Sequence, residues 1–562
     1  MKKLFNILKE KLAPLSSKLQ SLKSILPQKK PHSEKYYKRI AFLNKYSLIF
    51  HFLLACLLIL AVETISRRDF VSAITFISNH TLAFLYNALI IFASLSLVYL
   101  TKYRTQMRIL ISGLWIFLGT VNGLILSNRV TPFSYTDLKC LPDLFAMQNT
   151  NYFTAEEATM VVSVVVAFFV ILGLLFAKGP RYQGKRHTVL GPVSIAALIL
   201  IGLPITTQAA QSSNILASYF ANIAQGYSDY GFVYGFSTSV VGRGMDKPED
   251  YSEETVDAIN TLVDSASSPT TVSTGSEPNV ICVLLESFCD PYEVNFLNMS
   301  EDPIPNFHNL EANYSTGYLT VPVVGAGTAN TEFEVLTGMS MQYFGTGEYP
   351  YKTILKQTDC ESIADDLSQI GYGTHVVHNN TATFYSRNNA FSMMGFDTFT
   401  SKECMNISQY TPNGNWPTDD VLVQETVKAM NATENQSDFV YTITVEGHGD
   451  YPTEKLLENP DILVSGAADE ASNNQWEYYV NMIHEVDDFI GDLITAVDRR
   501  GEDTIIVFFG DHLPTMGLTD ADMKSGDIFK TKYITWNNMV LAKKDADLLP
   551  ASRAHYRSGR HS

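Results

Sequence analysis

Residues 279–286 read NVICVLLE and residues 503–512 read DTIIVFFGDH. Each is a continuous apolar run of strand length that ends in metal-type ligands. A strand buried on one face alternates apolar and polar residues, whereas a strand that is apolar throughout is buried on both faces. Two further runs, THVVH (374–378) and DFVYTITVE (438–446), have the same character, and helical stretches separate them. The pattern predicts an α/β domain with a mostly parallel central sheet. In such sheets ligands bind beyond the carboxyl ends of the strands. Glu286 stands at one such end, and Asp511 with His512 at another.

A third element lies between them. Gly325-Ala326-Gly327-Thr328 precedes a helical stretch, ANTEFEVLTGM. A hydroxyl opening a helix is ordinarily an N-cap, and the same position favours an anion. A metal bound by Glu286, Asp511 and His512 could take the Thr328 hydroxyl as a further ligand. Coordination lowers the hydroxyl pKa and activates it for attack on phosphorus or sulfur. Two carboxylates, one imidazole and a hydroxyl suit Mn²⁺ or Mg²⁺, with Zn²⁺ as an alternative.

Working outward, the 562 residues divide sharply by charge. The formal net charge is −17. Residues 1–206 hold 23 Lys and Arg against 8 Asp and Glu, whereas residues 207–562 hold 18 against 50. The acidic half argues against nucleic-acid binding, which needs a basic surface. The basic half contains five apolar runs, at 46–63, 83–100, 109–127, 159–177 and 189–206. Each is about the length a helix needs to cross a bilayer. Lys and Arg concentrate in residues 1–45 and in the connections after the second and fourth runs. The expected topology therefore has a cytoplasmic N-terminus, five spans and an extracellular C-terminal half in the cell membrane. Residues 1–45 are too long and polar for a signal peptide, so the first span is expected to be a retained anchor.

The expected organisation is a cytoplasmic basic segment (1–45), a five-span membrane domain (46–206), an amphipathic segment with a linker (207–278), and the catalytic domain (279–562). Tyr230, Phe232, Tyr234 and Phe236 could face the membrane interface or pack against the catalytic domain. The Ser/Thr/Pro stretch 264–278 reads as the linker. Six cysteines do not make a disulfide scaffold, although a Cys360–Cys404 bridge is conceivable.

These residues resemble a family. LLESF around Glu286, GAGTANTEF around Thr328 and FFGDH around Asp511, with five spans and an outward C-terminal domain, look like a lipoteichoic acid synthase. The resemblance covers residues from about 40 to about 540. It implies an N-terminal five-helix transmembrane domain plus an extracellular α/β sulfatase-like domain of the alkaline phosphatase superfamily. It also implies a single Mn²⁺-type ion on Glu286, Thr328, Asp511 and His512. Phosphatidylglycerol would be the donor, and a glycolipid or growing polyglycerolphosphate chain the acceptor. Thr328 would carry a glycerophosphoryl group, and the cell would be Gram-positive.

HVVHNNTATFYSRNNAF (375–391) and TVEGHGDYP (444–452) match the family's substrate-contacting segments. By that resemblance His378, Asn380, Tyr385, Arg387 and His448 bind substrate. Arg387 would grip phosphate, and His448 would protonate the leaving oxygen. Trp416 and Asp420 also fit the family pattern. A formylglycine sulfatase is disfavoured, because Cys289-Asp290-Pro291-Tyr292-Glu293 has Glu where that motif requires Arg. The alternatives are a phosphoethanolamine transferase of the same superfamily and an inactive ectodomain scaffold. The tail PASRAHYRSGRHS departs from the family and is expected to reflect a truncated or frame-altered end.

Overall fold

A computed structural model of the protein describes residues 33–539, apart from 127–130, 140–154, 180, 183–186, 214, 218–219, 221–222, 243, 245–249, 267–276 and 434–435. The basic segment up to residue 32, most of the 264–278 linker and the C-terminal tail lie outside the described residues.

The four apolar runs all form strands. The main sheet is built from β1 (Asn279–Leu285), β2 (Thr316–Thr320), β3 (Gly373–His378), β4 (Thr398–Ser401), β5 (Asp438–Ile443), β6 (Thr504–Gly510) and β7 (Lys530–Asn537). Their order is β2-β7-β6-β1-β5-β3-β4. β1 pairs parallel with β5 and β6, and β3 pairs parallel with β4 and β5. β7 and β2 add an antiparallel edge. The two strands ending in ligand residues are neighbours, with Leu285 opposite Gly510. Glu286 and Asp511 therefore leave the sheet side by side.

Burial on both faces explains the unbroken apolar runs. Ile281, Val283 and Leu285 of β1 join one core with Val440, Ile506 and Phe508. The 29-residue helix Glu470–Asp498 covers that face through Tyr479, Ile483, Val486 and Ile490. Leu284 joins the opposite core with Phe439, Tyr441, Ile443 and Phe509. The helix Thr328–Thr337 covers this second face through Ala329, Phe333 and Leu336. Each fully buried Leu, Ile, Val or Phe contributes about 1.5–3 kcal/mol, so both faces strongly specify the register.

The chain divides into two compact units, Met1–Leu54 and Ala55–Ser562. In the first, the described residues are helical, comprising Glu34–Lys45 and the first turns of Ser47–Arg67. Among the described residues four helices are long and apolar enough to cross a membrane: Ser47–Arg67, Thr81–Leu100, Arg104–Ile125 and Val193–Ser212. They coincide with four of the five expected runs. The remaining run, 159–177, falls in the 24-residue helix Ala155–Lys178, whose described side chains begin at Val166.

The aromatic segment after these helices forms two short helices, Ile223–Tyr230 and Phe232–Val241. Phe232, Tyr234 and Phe236 are buried, while Tyr230 is half-buried. Their burial is against the helix bundle, so the segment takes neither of the two alternatives, the membrane interface or the catalytic domain. Asn87 accepts the Tyr234 N–H (2.7 Å) and donates to the Tyr230 carbonyl (2.7 Å). Cys360 and Cys404 carry free thiols.

Candidate active site

The site is assembled from strand ends and one helix start. Thr328 begins its helix directly after Gly327, whose φ of +107° is a left-handed conformation suited to glycine. A Cβ on Gly327 would lie 3.0 Å from Val323 Cγ1 and 3.5 Å from the Tyr349 hydroxyl, so the turn is also tightly enclosed. Thr328 is buried, and its hydroxyl donates to Glu286 Oε2 at 2.9 Å. The Glu286 N–H donates to Thr444 Oγ1 (2.8 Å), which anchors the end of β1. Ser287 adopts φ +54°, and its N–H donates to Asp511 Oδ1 at 2.8 Å. Such strain in a non-glycine residue costs on the order of 1–3 kcal/mol and gathers at functional sites. Thr331 Oγ1 donates to the Asp511 carbonyl, tying the helix to β6.

His512 completes the group. Its Nδ1 faces the Leu513 carbonyl at 3.0 Å, which fixes the proton on that nitrogen. Nε2 is thereby left with a lone pair, 3.3 Å from Asp511 Oδ2 and 3.6 Å from Glu286 Oε1. Asp511 Oδ2 and His512 Nε2 are both buried without a hydrogen-bond partner. These two acceptors converge on Glu286 Oε1, whose one donor among the described residues is the Ser287 hydroxyl at 3.1 Å. Burial and the Glu286 charge push the Asp511 carboxyl well above the usual range. Burial also raises Glu286, but the neighbouring His448 and His512 and the Thr328 hydrogen bond hold it below its ordinary value. A cation among Glu286, Asp511 and His512, whose ligand atoms lie within 4.8 Å of one another, relieves the conflict. The donor set fits a divalent metal.

The expected substrate residues surround this group unequally. His378, ending β3, bonds the Ile443 carbonyl through Nδ1 (2.9 Å), and its buried Nε2 has no partner. Burial, with Arg387 and His448 nearby, drives its pKa well down, so the ring is neutral and Nε2 is an acceptor. His448 is half-buried, with its ring centroid 4.3 Å from that of Trp416 and tilted by 42°. Burial, with His512 and Arg387 nearby, lowers its pKa despite Glu286. Tyr385 has φ +55° and lies 5.4 Å from the Tyr349 ring. Asn380 turns its side-chain oxygen to the Thr381 N–H (2.7 Å) at the end of β3.

Arg387 is buried, and its Nε and Nη2 are both bound by Glu332. That ion pair raises the guanidinium pKa against the opposing effect of burial. The guanidinium fork expected to meet phosphate is therefore already half engaged. Glu332 escaped the sequence reading, although it lies four residues after Thr328 and so on the same helix face. Two other acids were missed. Asp419, rather than the exposed Asp420, is the buried member of NWPTDD. It accepts the Val445 and Glu446 N–H groups (2.9 and 3.1 Å) and Asn379 Nδ2 (2.8 Å), steadying the loop that carries His448. Burial outweighs these bonds and pushes its pKa up to about 7. Glu446 in turn accepts the Asp419 N–H.

Cys289, the only candidate in the formylglycine-like motif, is buried with its thiol pushed far up, and its N–H is bound by Tyr479. It stands apart from the position that Thr328 holds.

A parallel sheet with acids and an imidazole at adjacent strand ends and a helix-opening threonine beside them makes a candidate metal site with a hydroxyl in reach. Residues 278–551, just under half of the chain, match the Sulfatase family, and this part of the chain is a sulfatase-family domain. A protein of Rhizobium meliloti (strain 1021), provisionally named a cyclic beta-1,2-glucan modification protein, is 28% identical over 57% of this chain and 50% of its own. The lipoteichoic acid synthase of Staphylococcus saprophyticus is 23% identical over 42% of this chain and 35% of its own. The chain thus spans half or less of the length of the curated relatives it matches. Among solved structures, the Streptococcus pyogenes phosphoglycerol transferase GacH in complex with sn-glycerol-1-phosphate aligns with a TM-score of 0.47. It has 23% identity over 54% of this chain and 79% of that one.

Proposed function

We propose that this protein is a membrane-anchored phosphoglycerol transferase. It moves glycerophosphate from phosphatidylglycerol to a growing lipoteichoic acid chain on the outer face of a Gram-positive cell membrane. The N-terminus would lie in the cytoplasm. The observation that carries the reading is the Thr328 hydroxyl, 2.9 Å from Glu286 inside a buried group whose remaining ligand atoms lack donors.

Glu286, Asp511, His512 and Thr328 would hold Mn²⁺, with Mg²⁺ or Zn²⁺ as alternatives, and the ion would lower the hydroxyl pKa and offset phosphate charge. Thr328 Oγ attacks the lipid phosphorus, the P–O bond to diacylglycerol breaks, and glycerophosphoryl-threonine remains. The proton lost by Thr328 is matched by the one gained on the diacylglycerol oxygen, and His448 at the rim is the candidate carrier. A hydroxyl of the acceptor then displaces Thr328, with its proton returning to Oγ. Arg387, through its remaining Nη1 edge, and the neutral His378 Nε2 supply one donor and one acceptor. They would meet the phosphate and a glycerol hydroxyl respectively. Tyr385 and Asn380 would line the glycerol side.

The name of the Rhizobium relative favours a second reading of the acceptor, a glucan instead of a polyglycerolphosphate chain. The test is diacylglycerol release from labelled phosphatidylglycerol by the full-length protein in lipid with Mn²⁺, beside Thr328→Ala. Release by the parent alone, with the label trapped on Thr328 by mass spectrometry, supports the proposal. Release only from phosphatidylethanolamine would make the protein a phosphoethanolamine transferase. No release from either lipid would leave the scaffold reading.

A further inference from the structure

The turn Gly345–Glu348 lies between the Thr328–Thr337 helix and the Tyr349 that stacks on Tyr385. On its inner side the Glu348 carbonyl accepts Asn330 Nδ2 (3.2 Å), two residues beyond Thr328. On its outer side it meets two segments that come from the helix bundle. The buried Glu348 carboxylate accepts the Gly244 N–H at 2.7 Å and the Gly345 N–H at 3.0 Å. The Gly347 carbonyl accepts the Ser134 hydroxyl (3.3 Å). Backbone approaches are equally close. A Cβ on Gly345 would fall 2.1 Å from the Gly242 carbonyl oxygen, and one on Gly347 would fall 2.7 Å from Ser134 Cβ.

Those two segments are themselves held by polar side chains from long apolar helices. Asn122 accepts the Phe133 N–H (2.7 Å) and donates to Ser66 Oγ (2.6 Å). Glu63 accepts the Phe232 N–H (2.8 Å), and Asn87 the Tyr234 N–H. Ser239 accepts the Tyr135 N–H (2.9 Å), joining the two segments. Glu63, Asn87 and Asn122 are fully buried, and polar groups in membrane-length helices are costly unless they serve a purpose. Here each is directed at the backbone beneath the catalytic domain. A flexible tether would require none of this.

We propose that residues 131–137 and 231–242, with Gly244, form a docking saddle that fixes the Gly345–Glu348 turn, and with it the Thr328 helix. Asn122, Glu63, Asn87 and Glu348 are then positioning residues for turnover of a donor embedded in a bilayer. A donor free in water does not need the domain held at one height and tilt. The proposal rests on the transferase reading for its activity readout, and hydrogen exchange provides a second readout that does not.

Gly345→Ala tests it, because its backbone accommodates alanine while the added methyl meets backbone that cannot rotate away. The full-length protein is assayed with Mn²⁺ on phosphatidylglycerol in phosphatidylcholine nanodiscs and on dihexanoyl phosphatidylglycerol, monomeric in water. The expected result is at least tenfold slower diacylglycerol release from nanodiscs, with the soluble donor within twofold of the parent. Unchanged nanodisc turnover, or equal loss on both donors, overturns the proposal. The amides of 133–135 are expected to be protected in the parent and to exchange faster in Gly345→Ala, and fast exchange in the parent overturns docking outright. If the parent turns over neither donor, the transferase reading fails while the exchange result still decides the saddle.

Discussion

Two groups in the C-terminal domain, each of one Asp, one Glu and one His, have the same composition and different surroundings. Glu286, Asp511 and His512 form one, and Asp290, His308 and Glu311 form the other. The second group is closed by a cation of the chain itself. Lys532 Nζ lies 2.8 Å from Asp290, 2.9 Å from Glu311 and 3.5 Å from Glu293. His308 adds a 2.8 Å bond to Asp302 and a 3.4 Å contact to Asp290. Among the described residues no lysine enters the first group, and the buried Asp511 Oδ2 and His512 Nε2 lack partners. A like-charged cluster needs a cation, and whether β7 delivers one separates a structural ion network from a candidate metal site.

The comparison breaks most visibly at Thr328 and Asp511. Thr328→Ala is expected to lower diacylglycerol release at least about a thousandfold with little change in melting temperature. Asp511→Asn should act comparably, and wild-type turnover in either variant would remove the metal-centre reading. Chelation comes next. A metal present at a hundredfold excess over its Kd stabilises by about 2.7 kcal/mol, so chelation should lower the melting temperature by several degrees in the parent. That shift should be much smaller in Asp511→Asn.

Lys532→Met sharpens the other side. Leaving buried carboxylates without their cation should destabilise by about 2 kcal/mol, read from denaturant unfolding. Added Mn²⁺ should then restore part of the loss in this variant through Asp290, His308 and Glu311. Absence of any Mn²⁺ response would show that Lys532 does more than neutralise charge.

The smallest effect is the pH dependence of His308. Burial opposes its protonation, but the bonds to Asp290 and Asp302 prevail and raise its pKa from 6.5 to about 9. A raised pKa means that the folded state holds the proton more tightly. The stabilisation is complete below pH 6.5 and is lost as pH rises towards 9. Melting curves of the parent should fall more steeply over that window than those of His308→Gln, and parallel curves would refute the assignment.

Much of this was legible in the residues. The continuous apolar runs announced strands buried on both faces, because side-chain period and burial are local properties. Glu286, Thr328, Asp511 and His512 stood out because each ends a strand or opens a helix, where side chains leave the sheet on a common edge. The structure places these four side chains together. The aromatic stripe at 230–236 was less legible, since Asn87 and Glu63, far away in sequence, decide that it packs into the bundle. Asp419 was passed over for its neighbour Asp420 because adjacent acids are indistinguishable until the helix start turns one inward.

The sequence by itself determined the membrane-length helices, the parallel sheet and which four residues are proposed as ligands and nucleophile. Those follow from hydrophobic period, run length and residue type, all readable over a dozen positions. Only the tertiary structure decided that Glu332 occupies half of the Arg387 guanidinium and that Lys532 fills one acidic group while another stays open. It alone placed Gly345 against Gly242. Each of those pairings joins distant segments, and contact between them is set by how the layers pack, a quantity no local spacing encodes.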